Sequence, residues 1–192
     1  KTWKECLKPD FEIYFEANLP SPISYKQYAK ENKIKDLLIP YIKESAENKS
    51  NLEGATVVDA IIINPTNGFS VLFEAKVLSD ISCQVTYDES RNQMIRNIDV
   101  MLEKNDHLID SLNKRNPAFT LFSLLTPRKF KNEKSYSRLY AYKYNEYKKY
   151  PQMIQEDLPH RKNIDYIELC NRIGWLTWED FKDISYKYCK WL

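Results

Sequence analysis

One stretch of the chain constrains its fold more than any other. Residues 56–63 read Thr-Val-Val-Asp-Ala-Ile-Ile-Ile, and residues 69–78 read Phe-Ser-Val-Leu-Phe-Glu-Ala-Lys-Val-Leu, separated by Asn64-Pro-Thr-Asn-Gly68. Two β-branched, apolar runs around an Asn/Pro/Gly turn predict a β-hairpin. Both runs are apolar almost throughout, which suits central strands covered on both faces. A carboxylate in each run, Asp59 and Glu74, is therefore anomalous, because an unpaired carboxylate in apolar surroundings is costly. Folding the hairpin about residues 66–67 sets Asp59 opposite Glu74, at the end away from the turn. The two-residue period then puts Lys76 on the same face as Glu74.

Two carboxylates together with main-chain or water oxygens form a natural site for Mg²⁺. A lysine beside them can orient or deprotonate a water, or steady charge developing on a phosphate. The bare Glu-x-Lys pattern is weak, since it occurs at Glu31/Lys33, Glu47/Lys49, Glu74/Lys76 and Glu146/Lys148. Three of these lie in lysine-rich, helical or exposed contexts, where the pair reads as a solvated face. Only Glu74/Lys76 sits inside an apolar strand with an Asp on its hairpin partner. The plain structural alternative is a salt-bridged Asp59–Lys76 or Glu74–Lys76 pair on a half-exposed sheet.

Composition removes competing chemistries. The 192 residues hold 3 glycines, Gly54, Gly68 and Gly174, whose spacing excludes a Gly-rich phosphate loop or a dinucleotide fingerprint. Two histidines, His107 and His160, leave no room for a His-rich zinc site. Cys6, Cys83, Cys170 and Cys189 form no CxxC pair and read as reduced, mostly buried thiols of a cytosolic protein. No apolar run approaches the roughly 20 residues of a membrane span. The expectation is a cytoplasmic protein with no membrane association, its 192 residues forming a single domain.

The net charge of +2 conceals an asymmetry. Residues 114–150 carry ten basic side chains against Glu133 and Glu146, so this segment is +8 and the remainder −6. Elsewhere the periodicity predicts a helix over 24–48, kinked or split by Pro40. A further helix is expected from about 89 to 114, capped by Asp88 and burying Met94, Ile95, Ile98, Met101 and Leu102. Phe119–Leu125 reads as a buried strand, and Arg138–Tyr144 as another strand or an extended arm. Residues 163–174 and 177–190 read as short helices, the latter opening on a capping box at Thr177. Trp175, Trp178 and Trp191 are expected in the core of these helices. The fold class is α/β, a small mixed sheet flanked by helices with C-terminal helical additions.

Asp59-x14-Glu74-Ala75-Lys76 in a hairpin, after a long helix and before another helix and a strand, resembles the PD-(D/E)xK nuclease superfamily. The resemblance covers residues 24–125 and implies a restriction-endonuclease-like αβββαβ core, followed by the basic, Tyr-rich segment 126–150 and helices over 163–190. One strand of that core is not apparent and is assigned to the stretch around Leu52–Ala55. Val58 stands where the motif often has proline, a departure that leaves the chemistry untouched.

The resemblance implies that Asp59, Glu74 and the carbonyl of Ala75 bind Mg²⁺, with Mn²⁺ able to substitute, while Lys76 assists the hydrolytic water. Gln93, on the following helix, matches a glutamine that braces the lysine or water in related nucleases. An acid from the first helix often joins the metal ligands, and Glu44 is the choice here, with Glu31, Glu47 and Glu53 as alternatives. Arg128, Lys129, Lys131, Arg138 and Lys143, together with Arg96, are the candidate DNA contacts, since cations neutralise phosphates and tyrosines stack on bases. The expected activity is a Mg²⁺-dependent endonuclease hydrolysing DNA, in bacterial restriction or defence or in repair or mobile-element processing, with a homodimer as the expected assembly. The competing expectations are a catalytically silent nucleic-acid- or partner-binding module of the same fold, and an RNA nuclease using the same residues.

Overall fold

The computed structural model describes residues 2–49, 52–82, 87, 88, 90–132 and 138–190. A short helix α1 (Trp3–Cys6) precedes strand β1 (Glu12–Leu19). Helix α2 (Ile23–Tyr28) runs on into a π-helical turn over Ala29–Lys33, and α3 spans Pro40–Glu47. Pro40 does split the expected helix. It occupies the first turn of α3, where its missing N–H has no intrahelical partner to lose.

The hairpin forms as the sequence demands, with β2 at Thr56–Ile63 and β3 at Ser70–Ala75. Asn64 holds the turn by accepting the N–H of Thr66 at 2.8 Å and donating its amide to the carbonyls of Cys6 and Lys8. Gly68 has φ +75°, and a Cβ there would stand 2.8 Å from the carbonyl oxygen of Lys114. The position therefore requires glycine twice over, for its backbone conformation and for the close approach.

Beyond the hairpin, α4 covers Gln93–Met101, β4 Thr120–Thr126 and α5 Arg128–Asn132. The chain continues through α6 (Leu139–Lys149), α7 (Met153–Asp157), α8 (Tyr166–Asn171), β5 (Ile173–Thr177) and α9 (Trp178–Ile184). The strands form one five-stranded mixed sheet in the order β1-β2-β3-β4-β5. β1, β2 and β3 are antiparallel neighbours, whereas β3, β4 and β5 run parallel.

One face of the sheet buries Val58, Ile61, Leu72, Phe122, Leu124 and Trp175 against Ile95, Ile98 and Met101 of α4 and Tyr140 and Tyr147 of α6. The outer face carries Phe69, Val71 and Phe73, packed with Cys6, Leu7, Ala60 and Ile62. Tyr25, Ala29, Ile34, Ala46, Leu52 and Tyr87 make a third cluster beneath α2 and α3.

Four expectations are corrected. Residues 52–55, where a strand is expected, are bend and coil, and the antiparallel neighbour of β2 on its other side is β1, N-terminal to the helical segment. The helix expected over 89–114 starts later and ends earlier. Asn92, not Asp88, accepts the N–H of Ile95, and the buried Arg115 guanidinium binds the last carbonyls, Val100 and Met101. Asp88 instead accepts from Tyr25 Oη at 3.0 Å and pairs with Lys33. The strand expected at Arg138–Tyr144 is helix α6, started by Asp80, whose carboxylate accepts the N–H groups of Leu139 and Tyr140.

The fourth lies near the C-terminus, where β5 interrupts the two expected helices. Ile173, Trp175 and Thr177 alternate inward on it, and Trp175 Nε1 donates to Thr126 Oγ1 at 2.8 Å. The capping box at Thr177 is present, with Asp180 as its reciprocal partner. Cys170 is buried, Cys6 and Cys189 are half-buried free thiols, and Cys83 and Trp191 lie outside the described residues. Among the described residues no helix is long and apolar enough to cross a membrane.

Candidate active site

The β2–β3 register pairs Ala60 with Phe73 and Ile63 with Ser70, so one further step sets Asp59 opposite Glu74. The strands part at this point. Asp59 Oδ2 accepts the N–H of Ala75 at 2.6 Å, taking a main-chain donor at the strand end. Lys76 has left β3, but its N–H still donates to the carbonyl of Leu125 at 2.9 Å, and its own carbonyl accepts from Trp178 Nε1 at 3.3 Å. The Glu-Ala-Lys segment is thus held by three different elements.

Glu74 is fully buried on the α4 side. Lys76 Nζ lies 2.5 Å from Glu74 Oε1, and Asn97 Nδ2 donates to Glu74 Oε2 at 2.9 Å. Burial, with the charge of Asp59 added, pushes the Glu74 carboxyl up to about 7 against the contacts from Lys76 and Asn97, which act in the opposite direction. Asp59 is half-buried and also lines a groove on the outer face of the sheet, so the two carboxylates reach one strand end from different surroundings. The strict alternation that would face them identically slips here. Val58 and Ile61, three residues apart, both point into the inner core, while Glu16 on the neighbouring β1 adopts φ +50°.

This donor set suits a hard divalent cation. Asp59, Glu74 and the Ala75 carbonyl are all oxygen donors, and Glu74 is a buried carboxylate with one lysine and one amide for compensation. Among the described residues no group of three or more His, Cys, Asp and Glu is gathered in a metal-holding cluster, so the site rests on this carboxylate pair.

The remaining candidates are distributed differently. Gln93 opens α4, half-buried, and its main-chain oxygen accepts from Asn97 at 3.0 Å. Asn97, one turn further on, is the helix residue that reaches Glu74; sequence reasoning misses that role, although the i, i+4 spacing from Gln93 is visible. Glu44 is exposed on α3, whose buried residue is Ala46; Glu31 and Glu47 are exposed as well. Glu53, by contrast, is buried and bound by Arg91, Arg96 and Ser21.

Most of the basic side chains assigned to DNA make intramolecular contacts. Arg96 joins Glu53 and the carbonyls of Gly54 and Ala55. Arg128 pairs with Asp180 and Asp183, and Lys143 with Glu146 and Asp157. Lys131 donates to the carbonyl of Trp175, while Arg138 stacks on Phe130 and donates to the Leu78 carbonyl. Lys129 is exposed beside the Phe130 ring.

Sequence reasoning also misses a buried polar network. Arg91, covering the Tyr25 ring at 3.6 Å, binds Glu53 and Asp99; Asp99 further meets Arg161 at 2.7 Å and His160 Nε2 at 3.0 Å. Burial would raise the Asp99 carboxyl, but the His160 hydrogen bond and the charges of Arg91 and Arg161 hold it well below the usual carboxylate range.

Fold and site together define an α/β protein with one mixed five-stranded sheet and two carboxylates and a lysine at one strand end. Compared with known proteins, the chain matches no family model, no curated protein and no solved structure closely enough to carry an inference.

Proposed function

We propose that the chain is a Mg²⁺-dependent phosphodiesterase of the PD-(D/E)xK kind that hydrolyses DNA, working in bacterial restriction or defence or in repair or mobile-element processing. The observation that carries this reading is the convergence of Asp59, Glu74 and Lys76 where β2 and β3 part, with Lys76 Nζ 2.5 Å from Glu74. The topology supports it. With α2 and α3 taken as an insertion after β1, the order becomes helix, three antiparallel strands, crossover helix and parallel strand, the restriction-endonuclease-like core.

Bound Mg²⁺ would supply a nucleophilic water at neutral pH and Lewis-acid stabilisation of the phosphate. Asp59 and Glu74 would hold it, with the Ala75 carbonyl. The chain's own contribution is preorganisation. Ala75 N–H fixes the Asp59 carboxylate and Asn97 fixes Glu74, while the ammonium of Lys76 stays within reach of a phosphate oxygen or attacking water at the same spot. Cutting both strands of a duplex with one such site per chain calls for two copies, so a homodimer belongs to this reading.

The Lys76–Glu74 ion pair favours one competitor, a catalytically silent binding module in which that pair is merely structural. Incubation of supercoiled plasmid with Mg²⁺ separates the two. Wild type should nick and linearise it, whereas Lys76→Ala should lose at least about a hundredfold in rate while keeping the Mg²⁺-induced shift in melting temperature. Equal nicking by the variant would overturn the catalytic assignment. A wild-type protein that binds DNA without cutting DNA or RNA would establish the silent module.

A further inference from the structure

The outer face of the sheet holds a groove of about 410 Å³ that ends at the candidate site. Phe15, Phe73, Trp178 and Phe181 provide aromatic surface and Leu125 is part of the floor; among the described residues Asp59 is the one charged group in the lining. Phe15 is 75% exposed, an aromatic ring presented to solvent. Groove and site adjoin at Asp59 and at the main chain of Ala75 and Lys76, the side chains of Glu74 and Lys76 standing outside the lining. Asp59 and Ala75 belong to both, Trp178 donates to the carbonyl of Lys76, and the Leu125 carbonyl accepts the Lys76 N–H.

We infer that this groove takes an unpaired nucleobase of a DNA strand whose adjoining phosphate lies at Asp59, Glu74 and Lys76, so that single-stranded or locally unpaired DNA is the preferred substrate. The inference rests on the nuclease reading and adds the substrate class. Its logic is covalent: every DNA phosphate carries a nucleoside, and for a phosphate held at Asp59 the adjoining groove is apolar surface within that nucleoside's reach. A base within a duplex is stacked and paired and cannot reach such a surface, whereas an unpaired base presents a bare π-face. Apart from Asp59 and the weakly donating thiol of Cys189, the described lining residues offer rings and alkyl groups in place of hydrogen-bond donors. The base edge then remains in solvent, and the groove should accept all four bases nearly alike.

Binding and cleavage test this independently. Fluorescein-labelled oligonucleotides would be titrated in Ca²⁺ and read by anisotropy: a thymidine-rich single strand, the same strand carrying abasic positions, and its duplex. Wild type should bind the single strand at least about tenfold more tightly than the duplex. Phe15→Ala and Phe181→Ala, both at partly exposed positions, should each weaken single-strand binding about tenfold and leave duplex binding unchanged, and abasic positions should mimic them. Equal affinity for the two forms, or single-strand binding indifferent to both the variants and the missing bases, overturns the groove assignment. So does a self-associating protein that Phe15→Ala converts to monomer, which would make the groove a contact between copies.

Failure of the nuclease reading looks different. If no metal-dependent cleavage occurs but base-dependent binding persists, the groove stands without the enzyme. If plasmid duplex is cut as fast as single strands and Phe15→Ala cuts normally, the enzyme stands without the groove.

Discussion

Two carboxylates, Glu74 and Asp99, are buried to the same degree beside α4 and live in opposite electrostatic worlds. Asp99 meets Arg91, Arg161 and His160, and its carboxyl is held well below the ordinary range despite burial. Glu74 has one lysine and one amide, and burial carries it up to about 7. The first is saturated with positive charge and fastens α4 to the 158–161 loop and, through Arg91, to Glu53. The second is left short of positive charge, next to another carboxylate. A buried acid short of compensation at the parting of two strands is where a cation is useful; one bound by three basic groups is structural.

The comparison can be broken most directly at Asp99. Asp99→Asn strips the shared anion from Arg91 and Arg161 and leaves Arg91 with Glu53 alone and Arg161 with the partly exposed Glu103, so the variant should lose about 3 kcal/mol in urea unfolding at pH 7. Its lowered carboxyl also fixes the sign against pH. The stabilisation from Asp99 is present above the ordinary Asp range and is lost as the solution is acidified below it. A change under about 1 kcal/mol would mean that the network is no charge-saturated anchor.

Glu74→Gln should act in the other direction. The Glu74 carboxyl is raised from 4.5 in the unfolded chain to about 7, so the folded state binds the extra proton and wild type loses stability as pH rises between those values. The amide escapes that penalty. Unfolding at pH 8 should show the variant more stable by about 3 kcal/mol, since the raised carboxyl already nets burial against the attraction of Lys76, and the gain should shrink towards zero near pH 4.5. A destabilised variant at pH 8 would show Lys76 to be full compensation for Glu74, and the contrast with Asp99 would collapse.

Mg²⁺ sharpens the same point at a smaller scale. At a concentration ten times its dissociation constant it should stabilise the wild-type protein by about 1.4 kcal/mol, read as a rise in melting temperature. Asp59→Asn should abolish the rise. A rise that persists unchanged in the variant would place the cation elsewhere.

How much is legible in the sequence follows from the range of the forces involved. The hairpin is readable because its strands, turn and register are set by residues within about twenty positions of one another, close enough for a local pattern to specify. That pattern alone brings Asp59, Glu74 and Lys76 together. β1 is not readable, because Ile13 and Phe15 point outward with Glu12 and Glu16 among them, and no clean alternation survives. α6 reads as a strand because the Asp80 carboxylate that starts it lies about 60 residues upstream. The bonds of Arg91 to Glu53 and of Asp99 to His160 and Arg161 join groups 38 to 62 residues apart, and no local pattern announces them. The basic segment misleads for a related reason: a charge count records lysines and arginines but not the carboxylates and carbonyls that the fold supplies to them.

Asn97 is the finest control on the comparison, because it differs from the groups around Asp99 in being neutral. Its Nδ2 donates to Glu74 Oε2 and to the carbonyl of Gln93, and its Oδ1 is buried without a hydrogen-bond partner among the described residues. Such an amide stabilises the ionised form of Glu74 by a hydrogen bond alone, without bringing charge. Asn97→Ala should therefore raise the Glu74 carboxyl further, and the pH at which the Mg²⁺-induced stabilisation is half developed should move upward by on the order of half a unit. The fold should barely notice, since the Gln93 carbonyl keeps its helical partner. Asn97→Asp should move the midpoint further in the same direction, because it replaces the donor with a second negative charge beside Glu74. A midpoint unmoved in both variants would mean that burial, Lys76 and Asp59 set the ionisation of Glu74 without Asn97, leaving Asn97 as a packing residue of α4.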